Sequence, residues 1–530
     1  MQFRFVEVQS QVDFASGLAE NLLRYAPEHV IYGDYAYESW DEELIEYVLG
    51  FFRPENMRVD VISKSSFTSE DFHCEPWFGS HYTVEDISAS LMSMWNDPQE
   101  INVSLHLPAK NEYIPRDFSI RSDVLCLDIA ANTSHPRCIL DEPLMKFWYK
   151  LDSTFKLPLV NTYFRINLKG AYDSVKSCVL TGLYIDLLQD ELNGITYDAN
   201  IAGLGTSLSV YKDKLLLEVY GFNDKLPALM SQILETVKSF LPTCDRFEVI
   251  KEDMERACKK TNMDPWSHAK YLREQVLLQN FYTVDQQLTV LNGLSVSDLK
   301  SFIPELFSKL YLVGLFHGNL SEQEATTCKI IQNKLFCTTT SCRIDLRTKE
   351  QLGYVVLCGR KLTSGVLGFS FCVQSSEYNP KHLQGRLDNF INGLEELLEG
   401  LDNDSFENYK GGLIANLLVK DTTLGCETYR LWTEILAKNY TFESFDYSEK
   451  AAEELRSIDD EDVINFYKMY FQQSSPKCRR LATCVWGCNT DLIREARPGS
   501  VQVIEDLAAF KLSSNFFGRK TCQKVTPLSS

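Results

Sequence analysis

Arg347 and Tyr354 stand seven residues apart in the stretch Arg347-Thr348-Lys349-Glu350-Gln351-Leu352-Gly353-Tyr354. A guanidinium group is charged at every physiological pH and presents a planar fork of donors to carbonyl or carboxylate oxygens. A phenol can donate to an oxygen that gains negative charge as a carbonyl is attacked. On the last turns of a helix and the bend beyond it, the two side chains could reach one peptide, the first holding it and the second stabilising an oxyanion. That chemistry would serve peptide hydrolysis if an attacking group were found, although the same spacing also suits a surface arginine and a tyrosine packed at a strand start.

A zinc peptidase draws its nucleophile from metal-bound water, held by two histidines on one helical face with a glutamate base a turn away, in H-x-x-E-H or H-E-x-x-H order. The eight histidines are His29, His73, His81, His106, His135, His268, His317 and His382, and neither order occurs among them. His73-Cys74 with His81 lacks a fourth ligand at a workable spacing, there is no C-x-x-C pair, and Cys337 and Cys342 stand five apart in a polar stretch. The sequence therefore predicts no metal ligands and no catalytic residue of its own. It also has no G-x-S-x-G elbow. Gly203-Leu204-Gly205 and Gly411-Gly412 lack the strand-to-helix setting of a phosphate loop and read as turn or helix contacts.

The elements that must position Arg347 and Tyr354 belong to a chain of 530 residues, long enough for about three domains. Lys and Arg number 53 against 73 Asp and Glu, a net charge of −20. Nucleic acid and anionic membranes, which need a basic face, are not expected partners, whereas a basic peptide would be drawn in. The sixteen cysteines are dispersed without close pairing, as in Phe369-Ser370-Phe371-Cys372-Val373, which suits reduced, buried thiols in a cytoplasmic protein. No secretory signal and no membrane span is expected.

Self-comparison organises the chain. Leu294, Asp298, Leu299, Phe302 and Phe307 recur 164 residues later as Ile458, Asp462, Val463, Phe466 and Phe471. Phe247 and Lys251 recur 159 residues later as Phe406 and Lys410. Each copy predicts an amphipathic helix followed by an apolar strand, at Tyr311–Phe316 and at Leu481–Val485. A third, partial copy predicts a helix from Trp40 through Phe52 and a strand at Arg58–Ile62, so the chain is expected to begin inside a domain. The stretch Leu107–Pro115 reads as an extended linker. In the complete copy a strand is predicted at Thr162–Leu168, a helix at Ser174–Leu192, a hairpin of Ser207–Tyr211 and Leu215–Tyr220, and helices from Ala228, Asp245 and Trp266. The last copy repeats the later part of this order, with strands at Tyr354–Cys358 and Gly368–Gln374 and helices from His382, Asp404 and Thr428. A helix is also predicted from Glu322, and the room before Tyr354 is too short for the first strand and most of the long helix. The fold class is α+β: repeated domains, each a largely antiparallel sheet with helices packed on one face.

Around these copies the wording resembles one family. Arg347–Tyr354, Trp77-Phe78-Gly79, the Leu107–Pro115 linker, His317-Gly318-Asn319 and Val503–Leu507 with Phe510-Lys511 are similar, in the same order, to the insulinase-type zinc metallopeptidases of the insulysin and nardilysin subfamily. Glu75–Gly79 and Cys478–Leu481 most resemble the plant nardilysin-like proteins. The resemblance implies four homologous α+β domains in two bowl-shaped halves that close around a peptide, with zinc held by the first domain. It implies that residues 1–95 are the end of the second domain, 96–135 the linker, 136–320 the third domain, and 321–530 a fourth domain shortened at its start. Of the family's functional residues it carries over Arg347 and Tyr354 alone, as substrate-binding groups; the zinc of the family would not be bound by this chain. Expected partners are a peptide substrate, basic by charge complementarity, and an N-terminal peptidase half or homologue. The alternative is a non-catalytic protein that binds peptides or a partner on the same scaffold.

Overall fold

A computed structural model describes the chain except for residues 1, 6, 8–9, 37–38, 63–72, 100–104, 108, 125–134, 169, 261–263, 309, 328–354, 364–365, 437–446, 488–502 and 515–530. The chain divides into two compact units, Met1–Glu112 and Tyr113–Ser530.

In the first unit, α1 (Gln11–Asn21), α2 (Glu42–Leu49) and α3 (Ala89–Asn96) start at Ser10, Asp41 and Ser88, each accepting from a backbone N–H of the first turn. The helix expected through Phe52 closes at Gly50. Between them β1 (His73–Cys74) pairs with β2 (His81–Tyr82). The Glu75 carboxylate accepts from the amides of Trp77 (2.8 Å) and Phe78 (2.7 Å), and Gly79 takes φ 68°, so Glu75-Pro76-Trp77-Phe78-Gly79 is a tight turn with both aromatic rings in solvent. The strand expected at Arg58–Ile62 does not form. Extended backbone becomes a strand only by pairing, and no described segment of this unit lies alongside to supply the bonds. No described residue of this unit is buried.

The second unit is built on a six-stranded sheet. Its strands are β3 (Arg137–Glu142), β4 (Met145–Leu151), β5 (Leu159–Leu168), β6 (Leu204–Tyr211), β7 (Lys214–Phe222) and β8 (Leu310–Gly318), in the order β3-β4-β8-β5-β7-β6. Neighbours run antiparallel except β4 and β8, which are parallel. The expected hairpin is β6–β7: Tyr211 lies opposite Lys214, leaving Lys212, at φ 58°, and Asp213 as a two-residue turn. The helices are α4 (Arg121–Val124), α5 (Val175–Ile201), α6 (Leu226–Ser239), α7 (Cys244–Lys260), α8 (Pro265–Leu277), α9 (Val284–Asn292), α10 (Val296–Leu306) and α11 (Glu322–Thr327). A Ser174–Ser177 capping box starts α5, which runs past the predicted end at Leu192 to Ile201. Its Leu183, Tyr184 and Leu187 are sealed against Phe164, Ile166 and Phe316 of the sheet, with α6 and α10 completing the layer.

The duplication is visible as repeated contacts. After the sheet come β9 (Val355–Thr363), β10 (Val366–Gln374), α12 (Pro380–Glu399), α13 (Asn403–Leu417), α14 (Leu424–Leu436), α15 (Tyr447–Ser457), α16 (Asp460–Tyr470) and α17 (Leu507–Ser513). A capping box of Ser295 and Asp298 opens α10, and one of Asp459 and Asp462 opens α16. Lys251 Nζ donates to the Leu294 carbonyl at 2.8 Å, and Lys410 Nζ to that of Ile458 at 3.1 Å. Each lysine lies over the ring four residues before it, Phe247 at 5.9 Å and Phe406 at 5.4 Å. Thus β6, β7 and α6–α10 correspond in order to β9, β10 and α12–α16.

The strand expected at Leu481–Val485 is absent. Its counterpart β8 is held between β4 and β5, both from the opening segment of the complete copy. Among the described residues the second copy has no equivalent of either, and β9 and β10 form a separate two-stranded sheet. The described cysteines are free thiols, but Cys74, Cys138, Cys244, Cys426 and Cys484 are exposed rather than buried. Among the described residues no helix is long and apolar enough to cross a membrane.

Candidate functional site

Arg347 and Tyr354 both lie outside the described residues, which resume at Val355, the first residue of β9. The hairpin that follows is described. Val355 pairs with Gln374 through to Thr363 with Val366, and its inner face packs through Phe371 on Phe390 of α12 and Phe369 on Phe471 beyond α16.

A polar site that sequence reasoning missed lies on the far face of the six-stranded sheet. There α14 packs Leu431, Trp432 and Ile435 onto Trp148, Val313 and Leu315. Beside that apolar contact, Glu427 in the first turn of α14 and Thr428 just after it meet Lys150 of β4, Asn161 of β5 and His317 of β8. Lys150 Nζ donates to Glu427 Oε1 at 2.8 Å, with the two side chains only 6% and 10% exposed. Asn161 Nδ2 donates to Thr428 Oγ1 at 2.9 Å, and His317 Nδ1 lies 2.8 Å from the same oxygen. Thr428 has a single hydroxyl proton. With that proton on the Leu424 carbonyl, 2.7 Å away, Nδ1 of His317 donates and Nε2 carries the lone pair.

Nε2 faces Glu427 Oε2 at 3.6 Å, and neither atom makes a protein hydrogen bond. Burial, then the charges of Lys150 and Arg430, hold the His317 pKa well below the ordinary imidazole value, so the ring is neutral. Arg430 is anchored on Asp421 at 2.8 Å and stands 3.9 Å from Glu427. A sequence signal existed: Lys150, Asn161 and His317 each interrupt an apolar strand, at positions where a polar side chain needs a buried partner. The partner, 277 residues from Lys150, was not visible in the pattern.

His317 with Glu427 supplies two donors of the kind that bind zinc, but the pair does not fit the ion. Lys150 already occupies one carboxylate oxygen, and Arg430 adds a second cation nearby. Among the described residues no group of three His, Cys, Asp or Glu is placed to hold a metal.

Gly318 and Asn319 complete the expected His317-Gly318-Asn319 signature, and their roles are structural. Gly318 takes φ 136°, and a Cβ there would lie 2.4 Å from the Leu159 carbonyl oxygen. Asn319 is buried, accepts from the Arg121 amide at 2.6 Å and donates to the Ser119 carbonyl at 2.9 Å. With Asp224, which accepts from the amides of Arg116 and Asp117, and with Phe118 edge-on to Phe222, it fastens residues 116–121 to the sheet.

Comparison with known proteins places this arrangement. A family model described as the middle or third domain of peptidase M16 matches residues 3–290, more than half of the chain. The chain belongs to the peptidase M16 family. A second model, the C-terminal lobe domain 4 of PQQ synthase PqqF-like proteins, matches residues 337–432. An Arabidopsis thaliana protein described as nardilysin-like is 52% identical, over 98% of this chain and 56% of its own length. Human insulin-degrading enzyme is 29% identical over 96% of this chain and 57% of its own. The crystal structure of pitrilysin shares the fold, with a TM-score of 0.65 and 21% identity over 88% of this chain and 55% of that one. The chain thus spans little more than half the length of these relatives. The nardilysin-like alignment runs to 583 residues against the 530 of this chain, so the relative carries residues here without counterpart. The α+β fold and the insulinase-type family expected from the sequence are both found. M16 peptidases are in general zinc-dependent, and their zinc has no fitting site among the described residues.

Proposed function

We propose that this chain is the C-terminal, substrate-contacting half of an insulysin/nardilysin-like zinc metalloendopeptidase, unable to hydrolyse peptides until an N-terminal half supplies zinc and its base. Residues 1–95 are then the end of the second family domain, 96–135 the linker, 136–320 the third domain and 321–530 the shortened fourth. Arg347 holds the peptide backbone and Tyr354 donates to the tetrahedral intermediate. Peptide and peptidase half meet in the cytoplasm, and the acidic surface favours basic peptides. The observation that carries this reading is the 52% identity running along 98% of the chain to a relative of which it covers 56%. The missing H-x-x-E-H sequence supports the division of labour.

The test mixes the purified chain with a separately expressed zinc-binding half from the nardilysin-like relative and follows cleavage of a dibasic peptide. Chelator-sensitive turnover should require both parts. Tyr354→Phe should lower it by ~10²–10³-fold, the usual loss for one oxyanion donor. Chelator-sensitive cleavage by the isolated chain overturns the proposal. Peptide binding that never yields cleavage with the second half favours the non-catalytic binder.

A further inference from the structure

α14 belongs to the second copy and the sheet face it covers to the complete copy, so the seam between them joins the two copies. Its centre holds two acceptors that face each other. Nε2 of His317 carries a lone pair and Oε2 of Glu427 a negative charge, 3.6 Å apart in a buried site, and neither atom receives a hydrogen bond from the protein. Opposed lone pairs away from water are unfavourable. A proton on the imidazole would relieve them, and so would separation of the two elements. The charges around the ring decide which of these acid favours. From β4 the ring is faced by Lys150, and from β5 by Asn161 and the neighbouring Tyr163, whose phenol burial keeps protonated. From α14 come Glu427 and Arg430, and Arg430 is shared with Asp421 at 2.8 Å and Glu434 at 3.8 Å. Glu427 is already committed to Lys150 at 2.8 Å and has little charge left for an imidazolium.

We propose that His317 makes the contact between α14 and the sheet an acid-released joint: below about pH 6.5 a proton taken up at Nε2 frees α14 from the complete copy while the core around α5 stays folded. The sign follows from the two states of the seam. While α14 is docked, burial and the cations Lys150 and Arg430 keep the ring neutral well below the ordinary imidazole range. Once α14 leaves, the ring lies on a solvated sheet face and titrates near ~6.5. The released seam therefore binds a proton that the docked seam excludes, and docking is complete above that pH and weakens below it. Release is local because the opposite face of the same sheet is packed separately, with Leu183 and Leu187 of α5 sealed against Phe164 and Ile166. The joint is independent of the hydrolytic reading, since it is read by the docking of one helix and not by cleavage.

The experiment follows amide hydrogen exchange of the full chain between pH 5 and 8, corrected for the intrinsic pH dependence of exchange. Protection of Leu424–Leu436 should be level above about pH 6.5 and fall below it by up to ~10-fold per pH unit, the slope for one proton. Protection of the β5–α5 core should stay level over the same range. His317→Gln, which keeps a donor for Thr428, should remove the slope. Lys150→Met, which leaves Glu427 to pair with an imidazolium, should flatten or reverse it, a change that lost packing alone would not produce. Wild-type protection that stays level in α14, or falls equally in α14 and the core, overturns the proposal whether or not the variants fold. A slope that survives in either folded variant also overturns it. Protection of α14 that rises with acid overturns it as well, assigning the proton to a bond between His317 and Glu427 that locks the joint.

Discussion

Glu427 carries the charge on which the buried seam depends. Removing it leaves the Lys150 ammonium in a site where its side chain is 6% exposed, with no carboxylate to compensate. Glu427→Ala should therefore destabilise the sheet–α14 contact by about 3–5 kcal/mol, measured by denaturant unfolding, while Lys150→Met combined with Glu427→Leu should recover most of that loss. His317 sets a pH dependence whose sign follows from its depressed pKa. Unfolded, the imidazole titrates near ~6.5; folded, it stays neutral to lower pH, between Lys150 of β4 and Arg430 of α14. The unfolded chain thus binds a proton that the folded chain excludes. This contribution is complete above about pH 6.5 and is lost below it at up to about 1.4 kcal/mol per pH unit. Thermal melts between pH 5 and 8 should show a shallower acid loss in His317→Gln. At this scale Arg347 and Tyr354 stand as substrate-binding groups proposed from the resemblance and lie outside the described residues, while Glu427 was not legible in the sequence, because a buried ion pair leaves no local periodicity.

The repeat shows how much of each element is local. Helix starts were readable because a cap is a short-range device: Ser295 with Asp298 and Asp459 with Asp462 sit at the same place in both copies. Asp459→Ala should cost about 1 kcal/mol, seen as a lower melting temperature with faster amide exchange in the first turn of α16. Strands were less secure, since each needs a neighbour. Leu481–Val485 has the composition of β8 but, among the described residues, not its flanking strands, and Arg58–Ile62 likewise finds no described partner. The contact made by α14 was also invisible, although its start near Thr428 was predicted. Trp432→Ala, which removes a ring only 2% exposed, should cost about 3–5 kcal/mol and free α14 to proteolysis while leaving the β5–α5 core intact.

Over the whole molecule, protection should follow the completeness of each copy. Phe164, Ile166 and Leu315 of the six-stranded sheet are 0% exposed, while Leu367 and Phe369 of the hairpin are 69% and 48% exposed. Native-state hydrogen exchange should accordingly rank β5 and β8 far above β9 and β10, with the first unit, which buries none of its described residues, exchanging first. Uniform protection across the chain would contradict that order. The sequence by itself determined the duplication, the helix periodicity and caps, the hairpin at Lys212 and Asp213, and the family, since these rest on short-range chemistry or on ordered matching of residues. Only the tertiary structure decided that α14 covers the far face of the sheet, that His317 is a neutral member of an ion-pair seam, and that Arg58–Ile62 and Leu481–Val485 pair with no described strand. Burial, charge compensation and strand pairing depend on partners far away in the chain, and Lys150 and Glu427 meet across 277 residues.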